Sequence, residues 1–188
     1  MKFIETSLAG VVICEPARFS DERGFFQELF HEDRYREEGG INCQFKQDNT
    51  SYSRQGVVRG LHYQLRNPQA KLVSVLKGVV VDVAVDIRKG SPTFGAHVAV
   101  ELSADNGRQL FVPEGFAHGF SVISEDATFL YKCSDVYAPG DEFGIRFDDP
   151  ELKIDWGVSA PVVSQKDLSL PTLSGAPSET LPEWNEGN

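Results

Sequence analysis

Cysteine is scarce in this chain and shows no pattern. Cys14, Cys43 and Cys133 are odd in number and form no CxxC pair, which excludes a disulfide framework or a thiolate metal knuckle and predicts reduced thiols. Basic residues are short as well: 18 Lys and Arg face 28 Asp and Glu, leaving a formal charge of -10. That balance argues against nucleic acid or an anionic membrane as partner, because such proteins present a basic face. An anionic small ligand stays possible where Arg and Lys cluster locally. Long apolar runs are missing too, so no stretch approaches a membrane span. The start, Met1-Lys2-Phe3-Ile4-Glu5, sets a carboxylate where a signal peptide needs its apolar run, and a cytoplasmic protein is expected. Helical periodicity is sparse. Only the segment from His31 to Glu38, closed by Gly39-Gly40, reads as a short polar helix, with His31 and its charges on a solvated face.

What the chain does have is glycine (17), proline (10) and phenylalanine (13) spread over 188 residues, enough length for one domain with a substantial core. Alternating runs recur with turns every ~8–12 residues, the pattern of a sandwich or barrel of short strands. Lys71 to Ile87 reads as two strands about a Lys77-Gly78 turn, with Val81, Val83, Val85 and Ile87 on one face. Asp82 and Asp86 fall on the other face, read as the wetter side rather than as an acid–base pair. His97 to Leu102 is a further strand, Asp105-Asn106-Gly107 a hairpin signal, and Ile154-Asp155-Trp156 a last short strand. Phe129, Tyr131 and Cys133 share one side of another strand. From Pro171 to Asn188 the composition turns to Pro, Ser, Gly and Glu, which suggests a mobile tail, or an arm for a partner, after a domain covering 1–170.

The chemistry-bearing stretch is Gly56-Val57-Val58-Arg59-Gly60-Leu61-His62-Tyr63-Gln64, running on through Gln69-Ala70-Lys71. An imidazole titrating near neutrality beside a guanidinium and an ammonium suits proton transfer next to a bound anion. On its residues alone, His62 is equally well read as a hydrogen-bonded core histidine. In strand alternation Glu28 lies between Phe26 and Phe30, so its carboxylate is expected to be paired, with Arg23 a candidate partner, or to hold a ligand. The polar run Phe45-Lys46-Gln47-Asp48-Asn49-Thr50-Ser51-Tyr52-Ser53 reads first as a loop.

Two patterns then meet. Gly107, five residues, and Pro113-Glu114-Gly115-Phe116-Ala117-His118 resemble the second cupin motif, and Gly56, five residues, and His62 resemble the start of the first. The resemblance implies a mainly β, cupin-type jelly-roll (double-stranded β-helix) barrel with few short helices. A metal-binding cupin places a second histidine where this chain has Gln64 and a glutamate near Gln69, so no metal is expected. Within the cupins, the chain resembles the dTDP-4-dehydrorhamnose 3,5-epimerase family from about Ile4 to Asp167. The likeness rests on Asp21-Glu22-Arg23-Gly24-Phe25-Phe26, Gln47-Asp48-Asn49, Arg59-Gly60-Leu61-His62, Gln69-Ala70-Lys71, Gly115-Phe116-Ala117-His118-Gly119-Phe120 and Tyr131-Lys132.

That resemblance implies a dTDP-4-keto-6-deoxyhexose substrate, no cofactor, and a homodimer in which Arg23 and Glu28 act across the interface. It implies catalytic roles for His62 (proton acceptor), Asp167 (its carboxylate partner), Tyr131 (proton donor) and Lys71 (cation at the enolate oxygen). By the same resemblance Arg23, Glu28, Gln47, Asp48, Asn49, Arg59, His118, Tyr137, Glu142 and Lys166 bind substrate, with Tyr137 stacking on thymine. Relatives inverting a single carbon, a metal-dependent cupin enzyme, and a non-catalytic nucleotide-sugar binding module are the alternatives.

Overall fold

A computed structural model describes residues 1–185. Short alternating segments form the strands β1 (Lys2–Glu5), β2 (Val12–Glu15), β3 (Arg18–Asp21), β4 (Gly24–Gln27), β5 (Gln47–Arg54), β6 (Val58–Gln64) and β7 (Lys71–Lys77). They continue as β8 (Val79–Asp86), β9 (His97–Ser103), β10 (Gln109–Val112), β11 (Phe116–Val122), β12 (Asp126–Cys133) and β13 (Glu142–Gly144), with helices α1 (Glu32–Gly39) and α2 (Gln165–Leu168). A six-stranded sheet in the order β1-β2-β10-β7-β12-β5 faces a five-stranded sheet in the order β13-β6-β11-β8-β9. The result is the jelly roll. The ribbon β3–β4 stands apart as a two-stranded sheet.

The core sits between the two sheets. Val73 and Val75 of β7, Leu110 and Val112 of β10 and Phe129 of β12 pack on Val80 and Ala84 of β8 and on Phe116, Phe120 and Val122 of β11. Both outer faces are also covered. Tyr35 of α1 and Ile41 bury Val12, Cys14, Leu72 and Phe111 behind the six-stranded sheet. Ile145, Phe147, Trp156, Leu173 and Leu181 bury Val83, Val85 and Ile87 behind the five-stranded one.

Double coverage explains where the structure departs from expectation. Asp82 and Asp86 are fully buried, not on a wetter face, because β8 is a central strand packed on both sides. Asp86 is satisfied by the Arg88 backbone N–H and guanidinium and by the Ser91 and Thr93 hydroxyls. The two strands about the Lys77-Gly78 turn are as expected, but the Asp105-Asn106-Gly107 turn does not close a hairpin. Each turn carries the chain from one sheet to the other, since β7 and β10 lie in the six-stranded sheet and β8 and β9 in the five-stranded one. Gly78 (φ 82°) is required at its corner, where a Cβ would lie 2.1 Å from the Asp126 carbonyl.

Ile154-Asp155-Trp156 forms no strand; Trp156 is buried and its indole N–H donates to the Phe147 carbonyl at 2.8 Å. His31 is exposed, as expected of a solvated face, and is also the N-cap of α1, its Nδ1 accepting from the Arg34 N–H. The 171–185 stretch is no mobile tail. Leu173 and Leu181 are buried in this chain's own core, and Trp184 N–H donates to the Lys89 carbonyl at 2.9 Å. The rest of that tail, 186–188, lies outside the described residues. Leu181→Ala is expected to cost roughly 2–4 kcal/mol in urea unfolding, as for a core leucine; a detached segment would show no loss.

Candidate functional site

One cavity of about 790 Å³ opens between the sheets and is lined from both. The five-stranded sheet contributes Arg59 and His62 from β6, His118 from β11 and Glu142 from β13, while the six-stranded sheet contributes Gln47 and Asn49 from β5, Lys71 from β7 and Tyr131 from β12. Tyr137, Lys166 and Asp167 complete the lining from loops and α2. Phe120 and Phe129, stacked at 4.2 Å, lie among the apolar lining.

The strand ladders explain the convergence. His62 is directly opposite His118 on β11, and across the other sheet Tyr131 lies between Asn49 of β5 and Val73 of β7. Lys71 begins β7 opposite Cys133, one inward-facing position beyond Tyr131. Next to His62 the two central strands approach unusually closely. A Cβ on Gly60 would meet the His118 carbonyl at 2.5 Å, and one on Gly119 would meet the Arg59 carbonyl at 2.5 Å. Only glycine fits either position. The tight contact coincides with the register shift of β11 against β6 and frees the Gly60 N–H to reach a carboxylate.

That carboxylate is Asp167. Its Oδ1 lies 2.7 Å from His62 Nε2, and its Oδ2 accepts from the Gly60 N–H at 3.4 Å. Ser164 caps α2 by accepting the Asp167 N–H, and Val162 is bridged to Val57, so a local strap delivers the carboxylate to the cavity wall. Burial pushes the Asp167 carboxyl up, but the His62 contact, the Gly60 N–H and Ser164 together outweigh it and hold it below the usual carboxylate value. An ionised Asp167 accepts from Nε2–H, which leaves Nδ1 of His62 as the lone pair available to take a proton.

Lys71 has no hydrogen-bond or ion-pair partner among the described residues. Burial pushes its ammonium below the ordinary lysine value, opposed by Cys133, Glu142 and Asp82. Burial raises the Tyr131 phenol, with Cys133 and Glu142 adding and Arg59 opposing, so it stays protonated across neutral pH. His118 Nε2 lies 3.0 and 3.1 Å from the two oxygens of Asp82, both residues buried. Arg59 Nε donates to Ser53 Oγ at 3.0 Å. Lys166 and Glu142 form an ion pair at the cavity lining.

Three of the residues expected to bind substrate do not line this chain's cavity. Arg23 pairs with Asp21 on the exposed β3–β4 ribbon, Glu28 pairs with Arg34 rather than with Arg23, and Asp48 pairs with Lys132 on the outward face of β5. Glu28 lies beyond the end of β4, which removes the alternation that would have set it between two rings.

Ser51 also lines the cavity, though it was read only as part of a polar loop. The run 47–53 is strand β5, not a loop, with Gln47, Asn49 and Ser51 turned to the cavity and Asp48, Thr50 and Tyr52 exposed. Its alternation of side chains was present but masked, because both faces are polar. Gln64 and Gln69, at the positions a metal cupin uses for ligands, instead brace a loop. Gln64 donates to the Asn67 carbonyl at 2.7 Å and accepts from the Ala138 N–H at 2.9 Å, and Gln69 donates to the Asp135 carbonyl at 2.7 Å. The 135–138 loop so held carries Tyr137. Among the described residues, no group of three or more His, Cys, Asp or Glu is placed to hold a metal.

A jelly roll whose cavity is lined by a carboxylate-paired imidazole, a half-buried phenol and an ammonium unpartnered among the described residues is of the cupin type. Comparison with known proteins gives its family: the chain matches the dTDP-4-dehydrorhamnose 3,5-epimerase family over residues 5–175, and it belongs to that family. It is 51% identical over 170 residues to the dTDP-4-dehydrorhamnose 3,5-epimerase of Shigella flexneri, covering 90% of this chain and 94% of the relative. The Pseudomonas aeruginosa enzyme of the same name is 52% identical over 168 residues, covering 89% and 93%. Among solved structures, a dTDP-6-deoxy-D-glucose-3,5-epimerase from Legionella pneumophila in complex with dTDP-4-keto-L-rhamnose superposes with a TM-score of 0.95 at 51% identity, covering 98% of each chain.

Two outcomes follow from the electrostatics. Because the Asp167 carboxyl titrates lower folded than unfolded, its contribution to stability is complete above about pH 4 and is lost as pH falls through the folded value. Asp167→Asn should therefore flatten the acid limb of stability measured by urea unfolding between about pH 2 and 5. An unchanged limb would deny the pairing. Lys71→Met removes a desolvated, unpaired charge and should raise Tm by roughly 2–4 °C while lowering turnover about 100-fold or more.

Proposed function

We propose that the chain inverts C3 and C5 of dTDP-4-dehydro-6-deoxy-D-glucose to give dTDP-4-dehydro-L-rhamnose, a step of dTDP-L-rhamnose biosynthesis. The observation that carries the residue roles is that His62 and Tyr131 line one cavity from opposite sheets. Facing sheets pack about 10 Å apart, which leaves room for a hexose ring between their side chains. The C4 ketone acidifies the C–H bonds on either side, so an acid–base pair suffices and no cofactor is needed. His62 removes the proton through Nδ1, with Asp167 holding Nε2–H and stabilising the imidazolium that forms. Negative charge develops on the C4 oxygen, where the Lys71 ammonium is already desolvated and aimed into the cavity. Tyr131, kept protonated by its burial, delivers a proton to the opposite ring face.

Arg59, Gln47 and Asn49 are proposed to bind the diphosphate and sugar, His118 the sugar, and Tyr137, Glu142 and Lys166 the base. Arg23, Glu28 and Asp48 are proposed to reach substrate in a homodimer, the first two in the partner copy's cavity. Support comes from the β3–β4 ribbon, where Phe19, Phe25 and Phe26 are 65%, 59% and 68% exposed beside Arg23. Rings so exposed favour a covering surface. The expected setting is the cytoplasm, consistent with no helix among the described residues being long and apolar enough to cross a membrane.

In deuterated buffer, His62→Ala should lose exchange at both carbons and at least about 100-fold in turnover. Tyr131→Phe should retain exchange yet lose inversion at one or both. Following the C3 and C5 proton signals by NMR, with chelator present, checks both. Near-normal turnover by His62→Ala, or exchange abolished by the chelator, would contradict the assignment, and inversion at one carbon alone would make the chain a single-position epimerase.

A further inference from the structure

Ser51 Oγ is the one buried side-chain polar atom without a hydrogen-bond partner among the described residues. A buried hydroxyl left unpaired is costly, and folded proteins rarely retain one without a use. Ser51 lies on the inward face of β5 between Asn49 and Ser53, and it lines the cavity. Its neighbours on that face are already engaged. Asn49 Nδ2 donates to Cys133 Sγ at 3.7 Å and its Oδ1 accepts from Gln47 Nε2 at 2.9 Å, while Ser53 Oγ accepts from Arg59 Nε at 3.0 Å.

The Arg59 hydrogen bonds fix where an anion would meet the wall. With Nε on Ser53 Oγ and Nη2 reaching the Tyr52 carbonyl at 3.4 Å, the guanidinium runs along β5, and Nη1 has no partner among the described residues. Ser51 is two residues from Ser53, about 7 Å along the strand. Arg59, with Nη1 left to meet an oxyanion, and the Ser51 hydroxyl line the same cavity.

We propose that Ser51 is a further binding residue of this site: its hydroxyl donates to an oxygen of the substrate's diphosphate, beside Arg59, and so sets how deeply the sugar enters between His62 and Tyr131. The inference rests on the nucleotide-sugar reading above. The hydroxyl discriminates for a charged acceptor, because a hydrogen bond to an ionised oxygen is stronger than a neutral one.

The test is Ser51→Ala, with dTDP and thymidine titrated calorimetrically and steady-state turnover measured on dTDP-4-keto-6-deoxyglucose. The dTDP dissociation constant should rise about tenfold and KM by a similar factor, with kcat falling less and thymidine binding unmoved. Ser51→Thr, which keeps a hydroxyl on a strand position, should restore most of the dTDP affinity. The Tm of free Ser51→Ala should match or exceed that of the parent, since no protein hydrogen bond is lost; a structural serine would lower it. Unchanged dTDP affinity in Ser51→Ala overturns the proposal, as does an equal loss for thymidine, or a raised KM with normal dTDP binding, which would place the hydroxyl on the sugar. Should the parent protein itself fail to bind dTDP, the nucleotide-sugar reading falls, and Ser51 with it.

Discussion

The 2.7 Å contact between His62 Nε2 and Asp167 Oδ1 is the interaction on which the site depends. It joins residues 105 apart in sequence, with the carboxylate side chain 5% exposed and the imidazole 25%. A buried carboxylate is costly unless it is paired and hydrogen-bonded. The fold satisfies Asp167 with an imidazole, a backbone N–H freed by the Gly60–Gly119 approach, and a cap on a single-turn helix. Each of these is a requirement on the chain elsewhere. The Val57–Val162 bridge keeps the strap in place, and the C-terminal leucines cover the back of the sheet that carries His62.

The second constraint is that both sheets are buried on their outer faces as well as between themselves. This lets the chain keep polar groups inside without losing the fold. Asp86 is satisfied by five donors from its own loop, and Asp82 is committed to His118. Lys71 is the exception, a desolvated ammonium with no partner among the described residues, and Ser51 is a smaller one. Groups left unsatisfied inside an otherwise satisfied interior mark where a ligand's own atoms belong.

Much of this was legible in the sequence. Strand alternation, glycine-rich turns and the scarcity of helix gave the barrel, and motif order gave the candidate catalytic residues His62, Lys71, Tyr131 and Asp167, which line one cavity. What stayed hidden has physical causes. Alternation reports two faces but not whether the second is wet, so Asp82 and Asp86 were misplaced: their face, shared with Val80 and Ala84, is the one between the sheets, while segments from residues 145–181 cover the valine face. Two-sided polarity disguised β5 as a loop. A turn signal specifies a local bend and not which sheet the next strand joins, so Asp105-Asn106-Gly107 looked like a hairpin. The C-terminal composition resembled a flexible tail because its few leucines are widely spaced, yet two of them are anchors. Arg23 and Glu28 lie away from this chain's cavity, a placement that the pattern of residues did not give and only the resemblance, which set them across an interface, implied.

The central claim is that Asp167 fixes the His62 imidazole with its proton on Nε2 and a free lone pair on Nδ1 turned to the substrate. Nitrogen-15 NMR of histidine-labelled protein reads that arrangement directly, with Asp167→Asn as the comparison. The account predicts one tautomer at neutral pH, protonated at Nε2 in the parent and shifted or averaged in the variant. A parent spectrum with the proton on Nδ1, or one indifferent to the loss of the carboxylate, would contradict it.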